Sequence, residues 1–169
     1  VSFVVMSSLF VPFSFTRLMY FRDIALHHPG KEYTNAHGIF LILFILFSAC
    51  MTDTFAYFVG SFLGKHKLCP KISPKKTVEG AIGGVLGCVL ANVILYAVYN
   101  NFIFANPSNN YVAIIVASVI TSIVGMCGDL TASLIKRNYG IKDFGNLIPG
   151  HGGIMDRFDS IMFVSAAFY

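Results

Sequence analysis

The chain has 169 residues, of which 56% are hydrophobic and 12% charged, with 17 Phe, no Trp and a formal net charge of +4. A water-soluble domain carries about 25% charged residues, so this composition excludes one and points to a lipid bilayer. The four cysteines lack C-x-x-C spacing, which sets aside a zinc site or disulfide framework and leaves them as small apolar residues.

Residues 1–20 read as most of a membrane span, and longer uncharged stretches follow. Asp53 is the only Asp, Glu, Lys or Arg in residues 38–63, and residues 81–128 contain none. Crossing the hydrocarbon takes roughly 20 apolar residues, so the first stretch holds one span and the second holds two, joined by a short polar break. Runs of this length must satisfy their own backbone in lipid, which makes them helical. The sequence predicts helices over 1–20, 36–63, 78–99 and 111–137, then a short one from Phe158. The expected fold class is all-α, a polytopic integral membrane bundle whose polar loops and helix extensions form the site. No repeat or linker divides residues 1–169 into more than one domain. A helix over 158–169 would extend only about 18 Å, too short to cross a membrane. Together with the initial Val, this reads as a fragment that lacks N-terminal spans and is cut inside its last helix.

Lys65, Lys67, Lys71, Lys75 and Lys76 fill the loop after the second predicted helix, and Lys136, Arg137, Lys142 and Arg157 fall at and beyond the end of the fourth. These nine of the twelve basic residues are separated by a pair of spans and so share one side, which their excess marks as cytoplasmic. Gly80, Gly83, Gly84 and Gly87 make two overlapping G-x-x-x-G pairs, a spacing that lets helix backbones approach closely in lipid.

The chemistry gathers in residues 129–159, where acids sit beside bases. On a helix, Asp129, Ser133, Lys136 and Arg137 fall on one face, and Asp156 and Asp159 share a face in the same way. Between these groups Pro149, Gly150, Gly152 and Gly153 bend the chain around His151, so the two acidic patches can fold toward each other. Carboxylates suit a hard divalent cation, while ammonium, guanidinium and exposed backbone N–H groups neutralise phosphate oxygens. The set therefore suits a polyphosphate held through a metal. Interfacial charges pairing with each other and with lipid headgroups would account for any one of these residues, though not for the interleaving of all of them. Asp53 stands alone within a span, where an acid is costly and is either functional or paired; Tyr57, on the same helix face, is the available partner.

The stretch from Ser133 to Asp159 resembles the signature of phosphatidate cytidylyltransferases (CDP-diacylglycerol synthases). The match runs through Ser133, Lys136, Arg137, Lys142, Asp143, Gly145, a turn at Pro149 or Gly150, His151, Gly152, Gly153, Asp156, Arg157 and Asp159. A second block resembles the same family: Asp53 to Tyr57, then Gly60, Gly64 and Lys65, then Ser73, Pro74, Lys75, Lys76, Thr77, Glu79 and Gly80.

The resemblance implies that a phosphate oxygen of phosphatidic acid attacks the α-phosphorus of CTP, giving CDP-diacylglycerol and pyrophosphate without a protein nucleophile. It implies Mg²⁺ as cofactor, with Asp129 and Asp156 as its carboxylates and Asp143 and Asp159 as further ligands or orienters of the basic residues. Lys75, Lys76, Lys136, Arg137, Lys142 and Arg157 are then candidate phosphate clamps, with Ser73, Thr77, Glu79 and Asp53 completing the substrate-phosphate set. His151 either donates to a phosphate or pins the glycine turn. The implied partners are CTP, phosphatidic acid and the bilayer, with a homodimer left open. The implied location is a bacterial plasma membrane, or the endoplasmic reticulum in a eukaryote, with the site facing the cytoplasm.

Other readings fit less well. The run from Gly60 to Lys65 has three residues between its glycines where a P-loop needs four, and His66 stands where that motif has Ser or Thr. The basic loops lie between spans and are mixed with acids, which argues against nucleic acid. A transporter would spread acids through the bilayer depth, whereas Asp53 is the only charge well inside a span. The D-G-x-x-A-R pattern of CDP-alcohol phosphotransferases does not occur.

Overall fold

The computed structural model describes residues 2–23, 35–70, 72–103, 109–140 and 155–167, with side chains described at all of these except 2–11, 35, 74, 75, 155–159 and 167. The described residues form helices α1 (Ser2–Arg22), α2 (Asn35–Leu63), α3 (Val78–Phe102), α4 (Tyr111–Asn138) and α5 (Met155–Ala167). A two-stranded antiparallel ribbon, β1 (Lys67–Cys69) and β2 (Ser73–Thr77), joins α2 to α3. Each helix expected from the apolar runs is present. α3 outlasts its predicted end because Asn101 donates from Nδ2 to the Ala97 carbonyl at 2.8 Å and so holds another turn. The ribbon was not expected, since three- and five-residue strands rich in Lys show no alternation to read.

Three helices, over Ala36–Leu63, Val78–Phe102 and Tyr111–Asn138, are long and apolar enough to cross a membrane. Their burial pattern is the reverse of a water-soluble bundle. α3 buries Gly80, Gly84, Gly87, Cys88 and Asn92, and α4 buries Ser118, Thr121, Ser122, Gly125 and Gly128. Ile82, Leu86, Leu90, Ile94 and Val98, at every fourth position of α3, face outward. Lipid rewards this arrangement, because apolar side chains gain nothing by leaving it while small residues permit close packing. The chain is an all-α membrane bundle.

α2 is the central helix and packs against each of the other four. Its seam with α3 is built from glycine, as the G-x-x-x-G spacing predicts. A Cβ at Gly80 would lie 2.7 Å from the Ala56 carbonyl oxygen and 3.1 Å from the Cα of Gly60; one at Gly84 would lie 2.9 Å from the Thr52 carbonyl oxygen. Below the seam, Asn92 donates from Nδ2 to Ser48 Oγ at 2.7 Å and Ser118 Oγ at 3.0 Å, joining α2, α3 and α4. Thr52 Oγ1 donates to Ser122 Oγ at 3.0 Å in the same layer. The far end of the bundle is aromatic, with Phe40, Phe44 and Tyr96 buried together.

The ribbon pairs Lys67 with Thr77 and Cys69 with Ser73, with an irregularity between them. A lone two-stranded ribbon is marginal in water, so this one depends on its attachments to the helices. The exposed Lys67 on it discourages pairing with other strands.

Candidate functional site

The ends of α2 and α4 and the start of α3 meet on the side that carries the ribbon. Asp53 lies ten residues before the end of α2 and Asp129 nine before the end of α4. At ~1.5 Å per residue both carboxylates sit ~14–15 Å back from their helix ends, at matching depth. Thr77 caps α3: its Oγ1 accepts from the Gly80 N–H at 3.1 Å, from an extended backbone at φ −122° and ψ 155°. The cap fixes where β2 ends and places Lys76 at the mouth of the bundle, where its ammonium pairs with the Asp129 carboxylate. Both side chains are about a quarter exposed, at 26% each.

Asp53, Lys76, Thr77 and Asp129 line one cavity of about 200 Å³. Its remaining walls are Ala56 and Tyr57 from α2, Leu68 from β1, Gly80 and Ala81 from α3, and Met126 from α4. Whole-ligand pockets measure roughly 300–1,000 Å³, so this space suits a phosphate group with its cation rather than an entire nucleotide. Two carboxylates against one ammonium leave its lining net negative. A polyanion meets net repulsion from this lining unless a cation accompanies it.

Beside the cavity, Glu79 in the first turn of α3 holds His66. The His66 backbone N–H donates to both Glu79 carboxylate oxygens at 3.2 Å, and its Nδ1 lies 2.6 Å from Oε1. At the last turn of α4, Arg137 Nε donates to the Ile72 carbonyl at 3.4 Å, which brings the helix extension onto the ribbon. These contacts place the first basic loop and the basic end of α4, with Lys136 and Arg137, on one side of the bundle.

The block that begins at Asp53 therefore meets the polar end of α4, with Asp53, Lys76 and Thr77 beside Asp129, four residues before Ser133, where the other block begins. Asp53 is exposed onto the cavity, and Ala56 and Gly60, one and two turns on along the same face of α2, make the glycine seam beside it. Tyr57 shares its face. Ser73 lies in β2 and Lys136 in the last turns of α4, both partly buried. Lys75 belongs to β2, and Asp156, Arg157 and Asp159 to the start of α5; their side chains are outside the described set. Lys142, Asp143 and His151 lie outside the described residues. Sequence reasoning missed Met126, although it falls one turn before Asp129 on the same face. It also missed Leu68 and the role of His66, which only the ribbon reveals.

Among the described residues no group of three or more His, Cys, Asp or Glu side chains is placed to hold a metal. The donor set still fits Mg²⁺, which is commonly held by one or two carboxylates, with phosphate oxygens and water completing its shell. Asp53 and Asp129 are two hard-oxygen donors on one cavity. The cysteines are all free and stand apart from it.

Comparison with known proteins identifies the family. The model of the cytidylyltransferase family matches residues 1–169. The chain is 39% identical over 131 residues to a phosphatidate cytidylyltransferase of Staphylococcus haemolyticus, covering 78% of this chain and 48% of that protein. It is 40% identical over 151 residues to one of Haemophilus influenzae, covering 88% of this chain and 52% of that protein. The chain thus spans about half the length of the curated relatives it matches. With the family model matched from end to end, this chain belongs to the cytidylyltransferase family.

Proposed function

We propose that the protein transfers the cytidylyl group of CTP to phosphatidic acid, giving CDP-diacylglycerol and pyrophosphate for phospholipid synthesis. The observation that carries this reading is the convergence of Asp53, Lys76 and Asp129 on one cavity at the polar end of an apolar bundle. The names of the relatives support the substrate pair.

A phosphate oxygen of phosphatidic acid forms a bond to the α-phosphorus of CTP while the bond to pyrophosphate breaks, so no covalent enzyme intermediate arises. Catalysis then consists of alignment and charge neutralisation. Lys76 holds phosphate oxygens at the cavity, with Lys136 and Arg137 above it on the α4 extension. Asp129 and Asp53, with Asp156 by family resemblance, would hold Mg²⁺, which when bound offsets charge on the phosphate oxygens. The apolar outer face of α3 keeps the site at the bilayer, where a diacyl substrate resides. The basic excess beside the cavity orients it toward the cytoplasm, and the bacterial relatives favour a plasma membrane.

The test is pyrophosphate release by the full-length protein in detergent, with CTP and with or without phosphatidic acid and Mg²⁺. Release that needs both, and is lost in Asp129→Asn and Asp156→Asn while the proteins stay in the membrane fraction, supports the proposal. A folded protein that releases none overturns it in favour of ion or lipid transport.

A further inference from the structure

We infer that His66 is a positioning residue for the site, acting through Glu79 to hold the ribbon, and with it Lys76, over the cavity. The inference deepens the proposed function, and only its kinetic arm rests on that reading.

Lys76 and Thr77, which line the cavity, are the last two residues of β2, and Thr77 pairs with Lys67, the neighbour of His66. Whatever fixes His66 against α3 therefore fixes the base of the ribbon within one residue of that pair. His66 is fixed from two directions. Its carbonyl accepts from the Val78 N–H at 3.0 Å, and its own N–H and ring Nδ1 both meet the Glu79 carboxylate. A carboxylate only accepts, so Nδ1 carries the proton in this contact. Neither His66 nor Glu79 lines the cavity.

An exposed pair of this kind adds little to global stability, so its effect is local. The ribbon is too small to hold itself together. Its other attachments to helical side chains include the Arg137 contact near its turn and the Lys76–Asp129 pair, and a bound phosphate would loosen the latter. The His66–Glu79 contact involves no residue of the cavity and so survives substrate binding. It also engages the Glu79 carboxylate away from phosphate, which that carboxylate would repel.

The experiment compares His66→Asn, His66→Gln and His66→Ala in the full-length protein. Asn places its amide nitrogen where Nδ1 stands, while Gln places its own nearer Nε2. The His66 side chain is 79% exposed, so none of these changes disturbs packing. Two readouts are taken: trypsin cleavage within the Lys-rich ribbon, and the KM for CTP against kcat. Cleavage about tenfold faster, with KM raised about tenfold and kcat changed less, is expected for Ala and Gln, and near wild-type behaviour for Asn. Wild-type cleavage and KM in the Ala variant overturn the inference, as does an Asn variant as defective as Ala. If the wild-type protein releases no pyrophosphate, the proposed function falls and the cleavage rates alone decide the role of His66.

Discussion

At one end of the bundle α2 and α3 meet through glycines, and at the other through rings. Gly60 lies against Gly80, and the Gly80 position touches the Ala56 carbonyl. Forty ångströms of helix cannot use one packing rule for both ends when one must hold charge; a 28-residue helix such as α4 is ~42 Å long. Where backbones touch, the space between neighbouring elements is set by main chain, and the Asp53, Lys76 and Asp129 side chains project around a cavity with fixed walls. Where rings meet, Phe40 lies 5.2 Å from Tyr99 and Tyr96 lies 5.0 Å from Tyr111 in an edge-to-face pair, centroid to centroid. Those side chains fill the volume themselves. The comparison teaches that glycine here defines a site and aromatics provide mass.

That contrast breaks first at Asp129. Changing it to Asn removes the partner of Lys76 and one of the two carboxylates on the cavity. The expected cost is about 10³-fold in kcat with an unchanged unfolding midpoint, measured by pyrophosphate release beside thermal unfolding in detergent. Tyr96→Ala should do the opposite. Its ring is 4% exposed, and truncation leaves a cavity among Phe40, Phe44 and Tyr111. A loss of about 3 kcal/mol in stability is expected, with KM for CTP unchanged in the fraction that remains folded.

Gly80→Ala tests whether the seam serves both ends of the argument at once. The new methyl meets the Ala56 carbonyl oxygen at 2.7 Å, and backbone cannot swing aside as a side chain does. Overpacking of about 2 kcal/mol follows. Because Gly80 also donates to the Thr77 cap and lines the cavity, KM for CTP should rise with it. Lost stability with unaltered KM would show that the seam and the cavity are independent.

Much of this was legible in the sequence because lipid leaves few choices. An uncharged run long enough to cross must be a helix, which is why α2, α3 and α4 were placed with little error. The G-x-x-x-G spacing likewise marked the start of α3 as a place of close helix approach, though not α2 as the helix that meets it. The ribbon was illegible for the converse reason: it is held by His66, Glu79 and Arg137, contacts between residues remote in sequence that leave no periodic trace. The meeting of Asp53 with Asp129 was hidden too. Each sits on its own helix with a plausible local role, and only the antiparallel return of α3 and α4 brings them to one depth.

The smallest expected effect lies in the layer between the two ends. Thr52 Oγ1 donates to Ser122 Oγ at 3.0 Å, one residue from Asp53, and both groups are buried. Val matches Thr in shape, so Thr52→Val removes the hydrogen bond without opening a cavity. Hydrogen bonds between membrane helices average about 0.6 kcal/mol, since the separated helices also find partners for these groups. The Ser122 hydroxyl, on a helix, retains backbone carbonyls one turn back as acceptors. Thr52→Val should therefore lower stability by about 0.6 kcal/mol and leave pyrophosphate release near wild type. A drop in turnover at preserved stability would mean that this bond sets the spacing of α2 and α4, and thereby the distance between Asp53 and Asp129, so that the polar layer belongs with the glycine end rather than with the rings.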